Sequence, residues 1–201
     1  MSLNNKQYDV VISAGHHVDR KGKESPHYPQ FNEHDVATKV VADVVKELEK
    51  LGCTVGVVSG KLPVKVAGVN KLKPKLAVEL HFNADDDHSD PLDKDSKRGH
   101  GCSVMYYPNS LVRKRQAIAA SRSLADALGV RDNGGQEGWY WGNGTVQDYF
   151  LRKTVCPSFI LEPFFMDNEA EVRTFLVQNK HVDLVDAVFN SVVELLRQVG
   201  D

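Results

Sequence analysis

Apolar residues in this chain fall alternately into short continuous runs and longer stripes at helical spacing, which predicts strands interleaved with helices. Tyr8 to Ser13 is a short β-branched run closed by Gly15 and reads as a buried strand. Phe31 to Leu51 carries Val36, Val40, Val41, Val44, Val45 and Leu48 at helical spacing, with Asn32 placed to cap its start and Gly52 to end it. Thr54 to Val58 reads as a second strand, Val64 to Leu72 as a weaker helix, and Leu76 to Leu80 as a third strand. Asp85 to Gly101 is charged and aperiodic, a loop. Ser103 to Tyr107 is again strand-like, and Ser110 to Leu128 is helical, with Leu111, Ile118, Leu124 and Leu128 marking its face. Asp132 to Asp148, rich in glycine and aromatic residues, reads as a loop. A last strand at Ser158 to Glu162 precedes helices at Glu169 to Phe175 and Val182 to Val199. The expected fold is a single α/β domain, a mostly parallel twisted sheet with helices on both faces. There is no internal repeat and no linker to a second domain.

Length and composition agree with that picture. The 201 residues fit one domain with enough apolar content for a core. The formal net charge of −2 and the absence of a long Lys/Arg run argue against a nucleic-acid partner. No stretch approaches the roughly 18 apolar residues of a membrane span, so no membrane insertion is expected. Met1 to Tyr8 is polar and lacks the apolar core of a signal peptide. Cys53, Cys102 and Cys156 are too few and too scattered for a disulfide framework, and none forms a CxxC pair. They read as reduced core residues.

Candidate chemistry gathers where the strands end. Ligands of parallel sheets collect outside the carboxyl ends of the strands. The first strand runs into Gly15-His16-His17, the third into His81, and the last into Glu162. Glu33, in the first turn of the first long helix, reaches the same edge if the loop after His16 doubles back. Two imidazoles and a carboxylate suit a catalytic zinc with an open fourth position, and a second carboxylate can then carry a proton. His16, Glu33 and His81 are therefore candidate metal ligands, and Glu162 a candidate general base and acid. Each has a plainer reading. Single histidines at strand ends are commonly satisfied by hydrogen bonds, Glu33 could simply favour the positive end of its helix, and Glu162 could pair with Arg152.

At these residues the sequence resembles the zinc-dependent N-acetylmuramoyl-L-alanine amidases of the Amidase_3 type. Ile12-Ser13-Ala14-Gly15-His16 is similar to that family's opening strand and Gly-His motif. Asn32-Glu33-His34-Asp35 matches its glutamate at the head of an amphipathic helix. Glu79-Leu80-His81-Phe82-Asn83 looks like its Ser-Ile-His-Ala-Asn motif. Pro157-Ser158-Phe159-Ile160-Leu161-Glu162, with Asn168 downstream, looks like the pattern around its catalytic glutamate. The resemblance runs in order from about Tyr8 to Leu196. It implies a sheet of about six strands, one Zn2+ ion, and peptidoglycan as substrate, cut between N-acetylmuramic acid and L-alanine. With no export signal read at the N-terminus, it implies host or bacterial cytoplasm until release onto the wall, as for a phage endolysin. A spore amidase or an exported autolysin is the alternative. No long insertion separates Tyr107 from Ser110, where some members carry an inhibitory helix, so activity without an activator protein is expected.

Departures from the family pattern define further candidates. Ser13 stands where Asp is common, and His17, where Gly is common, is a rival ligand to His16. Glu79 replaces a small Ser two residues before His81. Residues i and i+2 of a strand share a face, so Glu79 is a candidate partner behind His81, or else simply pairs with a nearby lysine. Phe164 replaces a Gly and could narrow the cleft. Gly134 to Gly142, with Trp139 and Trp141, is a candidate substrate wall, because aromatic faces suit sugars. Asn83 is placed either to bond substrate or to fix the His81 loop. His27, His34, His88, His100 and His181 carry no ligand pattern. Competing functions are a zinc peptidase using the same ligands, a wall-binding module without catalysis, and a cysteine hydrolase built on Cys156.

Overall fold

Parallel strands covered on both faces must be apolar almost throughout, and two of the runs above form the middle of the sheet. The computed structural model describes residues 7–85, 99–138 and 148–200. They form one α/β domain around a six-stranded sheet of order β2-β1-β3-β6-β4-β5. The strands are β1 (Val10–Ala14), β2 (Val55–Val57), β3 (Leu76–Leu80), β4 (Cys102–Tyr106), β5 (Asp132–Glu137) and β6 (Ser158–Glu162). β2, β1, β3 and β6 run parallel, with Val10 beside Val55 and Leu76, and Ala77 beside Ser158. β4 reverses against β6, setting Ser103 opposite Glu162, and β5 runs parallel to β4.

Alternate residues of the strands face different helical layers. Ile12, Val78, Leu80, Phe159 and Leu161 pack with α1 (Glu33–Lys50), α3 (Leu111–Leu128) and α6 (His181–Val199) in the larger core. Val11, Ala77, Met105 and Ile160 face the thinner layer made by α2 (Leu62–Leu72) and α4 (Tyr149–Lys153). By the same alternation Ser13, Glu79 and Glu162 face α2 and α4, where less helix covers the sheet and a cleft opens.

Three expectations are corrected. Asp132 to Glu137 is not loop but edge strand β5, held by backbone pairing to β4. Its Asp-Asn-Gly-Gly-Gln-Glu sequence lacks every side chain that favours strands. Gly134 takes a left-handed conformation at φ +77°, and Gly135 serves close approach: a Cβ there would stand 3.0 Å from that of Ala117 on α3. The face of α3 is lined by Ala117, Ala120, Leu124 and Ala125, while Leu111 is exposed. Small residues let α6 come near, close enough for Ser191 Oγ to donate to the Ala120 carbonyl at 3.0 Å. The helix beginning at Glu169 is α5 (Glu169–Val172), which runs on into a π-helical turn, Arg173–Val177.

α1 begins where its cap residue predicts. Asn32 Oδ1 accepts from the Asp35 backbone N–H at 2.9 Å, and Gly52 lies beyond the helix end at φ +91°. This cap fixes the turn that carries Glu33. Asn32→Ala is expected to cost about 1 kcal/mol of stability, read as a lower urea midpoint at unchanged m-value.

Candidate active site

The carboxyl ends of β1, β3 and β6 deliver three of the predicted side chains to one edge of the sheet, and α1 brings the fourth. After β1 the backbone turns sharply at His16, which sits in the left-handed region at φ 56°. That conformation costs a non-glycine residue roughly 1–2 kcal/mol. Partners hold it: Gly15 N–H donates to the Leu80 carbonyl at 2.7 Å, and His34 Nδ1 bonds the Gly15 carbonyl at 2.7 Å. The loop then doubles back on α1. Glu33 N–H donates to the Lys23 carbonyl at 3.0 Å, and His34 N–H to that of Lys21 at 2.9 Å.

Glu33 is the centre of the resulting cluster. Its Oε2 lies 2.8 Å from His16 Nε2 and accepts the Lys23 N–H at 3.1 Å. Its Oε1 lies 2.8 Å from His81 Nδ1 and accepts the Phe82 N–H at 3.2 Å. The two rings meet edge to face, with centroids 5.0 Å apart. Burial alone would raise the Glu33 pKa, but hydrogen bonds from both imidazoles outweigh it and hold the group ionised well below the usual carboxylate range. Burial likewise works against a charge on His81, yet Glu33 and Glu79 together push its pKa well above the ordinary value. One donor atom from each of His16, Glu33 and His81 lies within 4.8 Å of the others. Packing around the cluster is tight. A Cβ on Gly15 would stand 2.6 Å from the His81 ring, and one on Gly22, at φ +79°, would collide with Glu33 and His16.

Behind His81 stands a second carboxylate. Glu79 Oε2 is 3.2 Å from His81 Nε2, and Oε1 accepts from Lys65 Nζ at 2.6 Å. Both readings of Glu79, as histidine partner and as lysine partner, hold at once. Glu162 is treated differently. Its Oε2 is buried with no hydrogen-bond partner, and Arg152 lies instead over the Tyr149 ring. Burial raises the Glu162 pKa to about 7, against a smaller opposing pull from His81.

Two clefts meet at this glutamate. One, of about 560 Å³, is walled by His16, His81, Lys61, Tyr149 and Glu162; the other, of about 810 Å³, by Asn83, His100, Arg131, Gln136 and Glu162. Met105 lines both.

The family model for N-acetylmuramoyl-L-alanine amidase, Amidase_3, matches residues 10–194. The chain belongs to this amidase family. The fold agrees. An N-acetylmuramoyl-L-alanine amidase from Clostridium difficile 630 superposes with a TM-score of 0.77 at 20% identity, covering 95% of this chain and 97% of that one. The catalytic domain of CwlV, an N-acetylmuramoyl-L-alanine amidase from Bacillus (Paenibacillus) polymyxa, gives 0.76 at 19% identity, covering 95% and 99%. The CwlD amidase from Clostridioides difficile, in complex with the GerS lipoprotein, gives 0.75 at 14% identity, covering 94% and 98%. The chain has no match among curated proteins. This protein is thus a hydrolase of peptidoglycan, acting on the amide bond between N-acetylmuramic acid and L-alanine. A cysteine hydrolase is not supported on the structure either, because burial lifts the Cys156 thiol to about 11.

His16, Glu33 and His81 converge in the amidase as their motifs predict, with Glu162 on the same cleft. His17 does not join them; its Nδ1 accepts from the Asp19 N–H at 3.3 Å. Phe164 does not narrow the cleft. It is buried in the larger core, stacked on Phe175. Asn83 Oδ1 accepts from Ala84 N–H at 2.8 Å, and the side chain lines the second cleft. Trp139, Trp141 and His88 lie outside the described residues. Lys65, His34 and Gly22 are missing from the sequence-based set. Lys65 leaves a usable signal: a charge three residues after Leu62 and four before Val69, on the apolar stripe of α2. No amphipathic pattern marks His34 or Gly22, which act through a returning loop.

The orphaned carboxylate gives a stability prediction. A carboxyl whose folded pKa is raised contributes stability at low pH that is lost as pH rises through the folded value. Glu162→Gln should therefore stabilise the metal-free amidase at pH 8, on the order of 2 kcal/mol after allowing for partial exposure. The gain is read as a raised thermal midpoint. Well below the unfolded carboxyl value of 4.5 the two proteins should melt together.

Proposed function

We propose that the amidase reaction here uses one zinc ion held by His16, Glu33 and His81, with Glu162 as the proton carrier. The single observation that carries this is the convergence of two imidazole nitrogens and one ionised carboxylate at the mouth of a cleft that also holds an unpartnered glutamate. The donor set fits zinc, for which His/His/carboxylate with an open fourth position is a recurring catalytic arrangement. When bound, zinc supplies Lewis acidity that polarises the scissile carbonyl and brings the pKa of water down to about 7.

The chain's own groups do the rest. His16 Nε2, Glu33 and His81 Nδ1 hold the ion. Glu162 takes a proton from the attacking water as the water oxygen bonds to the carbonyl carbon. It then delivers that proton to the amide nitrogen as the carbon–nitrogen bond breaks, leaving a carboxylic acid on the muramyl group and a free amine on L-alanine. Burial favours the protonated form of Glu162, which suits a carboxyl that must hold a proton before returning it. Substrate lying across both clefts passes Glu162, and Asn83 on the second cleft is positioned to bond it. Trp139 and Trp141 complete that wall in this reading, by the affinity of aromatic faces for sugars.

Purified peptidoglycan should release stem peptides beginning at L-alanine, seen by mass spectrometry. Chelation should abolish release and added zinc restore it. Glu162→Gln should lower kcat about 10²–10⁴-fold while zinc remains bound. Because the carrier must begin deprotonated, kcat/KM should rise with pH, and the midpoint of that acid limb should lie above the ordinary carboxylate value. Release that survives zinc removal would sink the metal assignment. Wild-type turnover by the Glu162→Gln enzyme would remove Glu162 from the role.

We also propose that no activator protein is needed. Only Tyr107 to Ser110 separates β4 from α3, so the chain carries no inhibitory element at that point. The metal-loaded enzyme alone should cleave wall; cleavage that begins only on adding a partner would refute this.

A further inference from the structure

Lys65 is a buried charge to which the scheme above gives no task. A lysine on the apolar stripe of a helix normally snorkels its ammonium into water. This one is 1% exposed, and with Val66 and Val69 it makes up the buried residues of α2. Its Nζ donates to Glu79 Oε1 at 2.6 Å and to the Ala14 carbonyl at 2.6 Å. Glu79, 2% exposed, also receives Ser13 Oγ at 3.5 Å and turns its other oxygen to His81 Nε2 at 3.2 Å. Ala14 is the last residue of β1, two before His16. Glu79 lies two before His81 on β3. One ammonium is therefore bonded to both strand ends that carry the imidazoles.

Stability is a poor reason for such a pair. Desolvating two charges costs about as much as their attraction returns, and apolar residues of similar volume commonly serve a fold as well or better. Its placement suggests another reason. Histidines that bind metals through one nitrogen generally donate the other N–H to a carboxylate, which fixes ring orientation and tautomer. Glu79 is so placed behind His81, leaving Nδ1 toward Glu33. Glu79 lines the same cleft as Glu162, and the bond from Lys65 Nζ holds its carboxylate in that position.

We propose that Lys65 and Glu79 are positioning residues: the lysine fixes Glu79 in place, Glu79 orients His81 with Nδ1 toward the metal position, and the bond to Ala14 sets His16 against it. The proposal rests on the reading of His16, Glu33 and His81 as zinc ligands, and the test separates the two.

The experiment compares wild type with Lys65→Met, the apolar exchange K65M/E79L, Glu79→Gln, Glu33→Ala and the packing control Val69→Ala on the same helix. Zinc affinity is measured by competition with a chromophoric chelator, and stability by urea unfolding of the metal-free protein. Lys65→Met alone should lose both stability and affinity, because it strands a buried carboxylate. K65M/E79L should recover the stability yet bind its one zinc about 10–100-fold more weakly than wild type. Val69→Ala should lose stability while keeping wild-type affinity. If K65M/E79L binds zinc as wild type does, or if Val69→Ala weakens zinc as much as K65M/E79L, the positioning role is overturned. Should the apolar exchange not fold, Glu79→Gln decides: an affinity about tenfold lower supports the proposal, and unchanged affinity refutes it. Wild type that takes up no zinc, or zinc uptake indifferent to Glu33→Ala, would instead overturn the ligand reading itself.

Discussion

The ionised carboxylate of Glu33, 4% exposed, is the constraint around which this site is built. Taking a carboxylate out of water costs several kcal/mol unless every lone-pair direction is answered. Here each oxygen meets one imidazole nitrogen and one backbone N–H: His16 and Lys23 on one, His81 and Phe82 on the other. Those four partners come from the end of β1, the returning loop, the end of β3 and the residue after His81. None can be supplied unless β1 and β3 are adjacent, parallel and in register, and the loop folds back on α1. The positive end of α1 adds a favourable field at the same place. Satisfying one buried charge thus fixes the arrangement of the elements that carry the histidines.

Three glutamates interact with His81, and their surroundings give them different properties. Glu33 is answered fourfold and stays ionised. For Glu79, burial opposes charge, but His81 and Lys65 outweigh it and its pKa is lowered. Glu162 has one oxygen with no partner at all, and its pKa rises. Carboxyls with pKa values pushed apart by environment can hold charge in one place and move a proton in another. The absence of a partner for Glu162 is what makes it apt for proton transfer, and it is destabilising above neutral pH for the same reason. The proposed role and stability oppose each other at this residue.

Much of this is legible in the sequence, and the rest is hidden for identifiable reasons. β3 and β6 fall on Leu76–Leu80 and Ser158–Glu162 because buried strands leave short, mostly apolar runs with abrupt ends. The site residues stand just past those ends, so strand prediction also locates the chemistry. β5 is invisible because an edge strand pairs through its backbone, and Gly135 serves the approach of α3. α4 is five residues long, too short for any helical period to register. The face of α3 is hard to place because its large apolar residues outweigh, in any pattern, the alanines that make the contact. Lys65 is hard to read because a charge in a helix is ordinarily solvated; its place on the apolar stripe is the available clue. His34 supports the Gly15 carbonyl across a loop closure that no local pattern encodes.

The reversal of β4 explains why Glu162 is reachable from two sides. Were β4 parallel to β6, the sheet edge beyond Glu162 would end in another strand-to-helix connection like those after β1 and β3. Running the other way, β4 begins opposite Glu162, with Ser103 as its partner, and β5 begins beside it. The segments entering these strands bring His100 and Arg131 to the far side of the glutamate, while α2 and α4 wall the near side. Ligands of open sheets bind where strand connections diverge. Here that divergence comes from a change of strand direction, and it falls at Glu162, the proposed proton carrier.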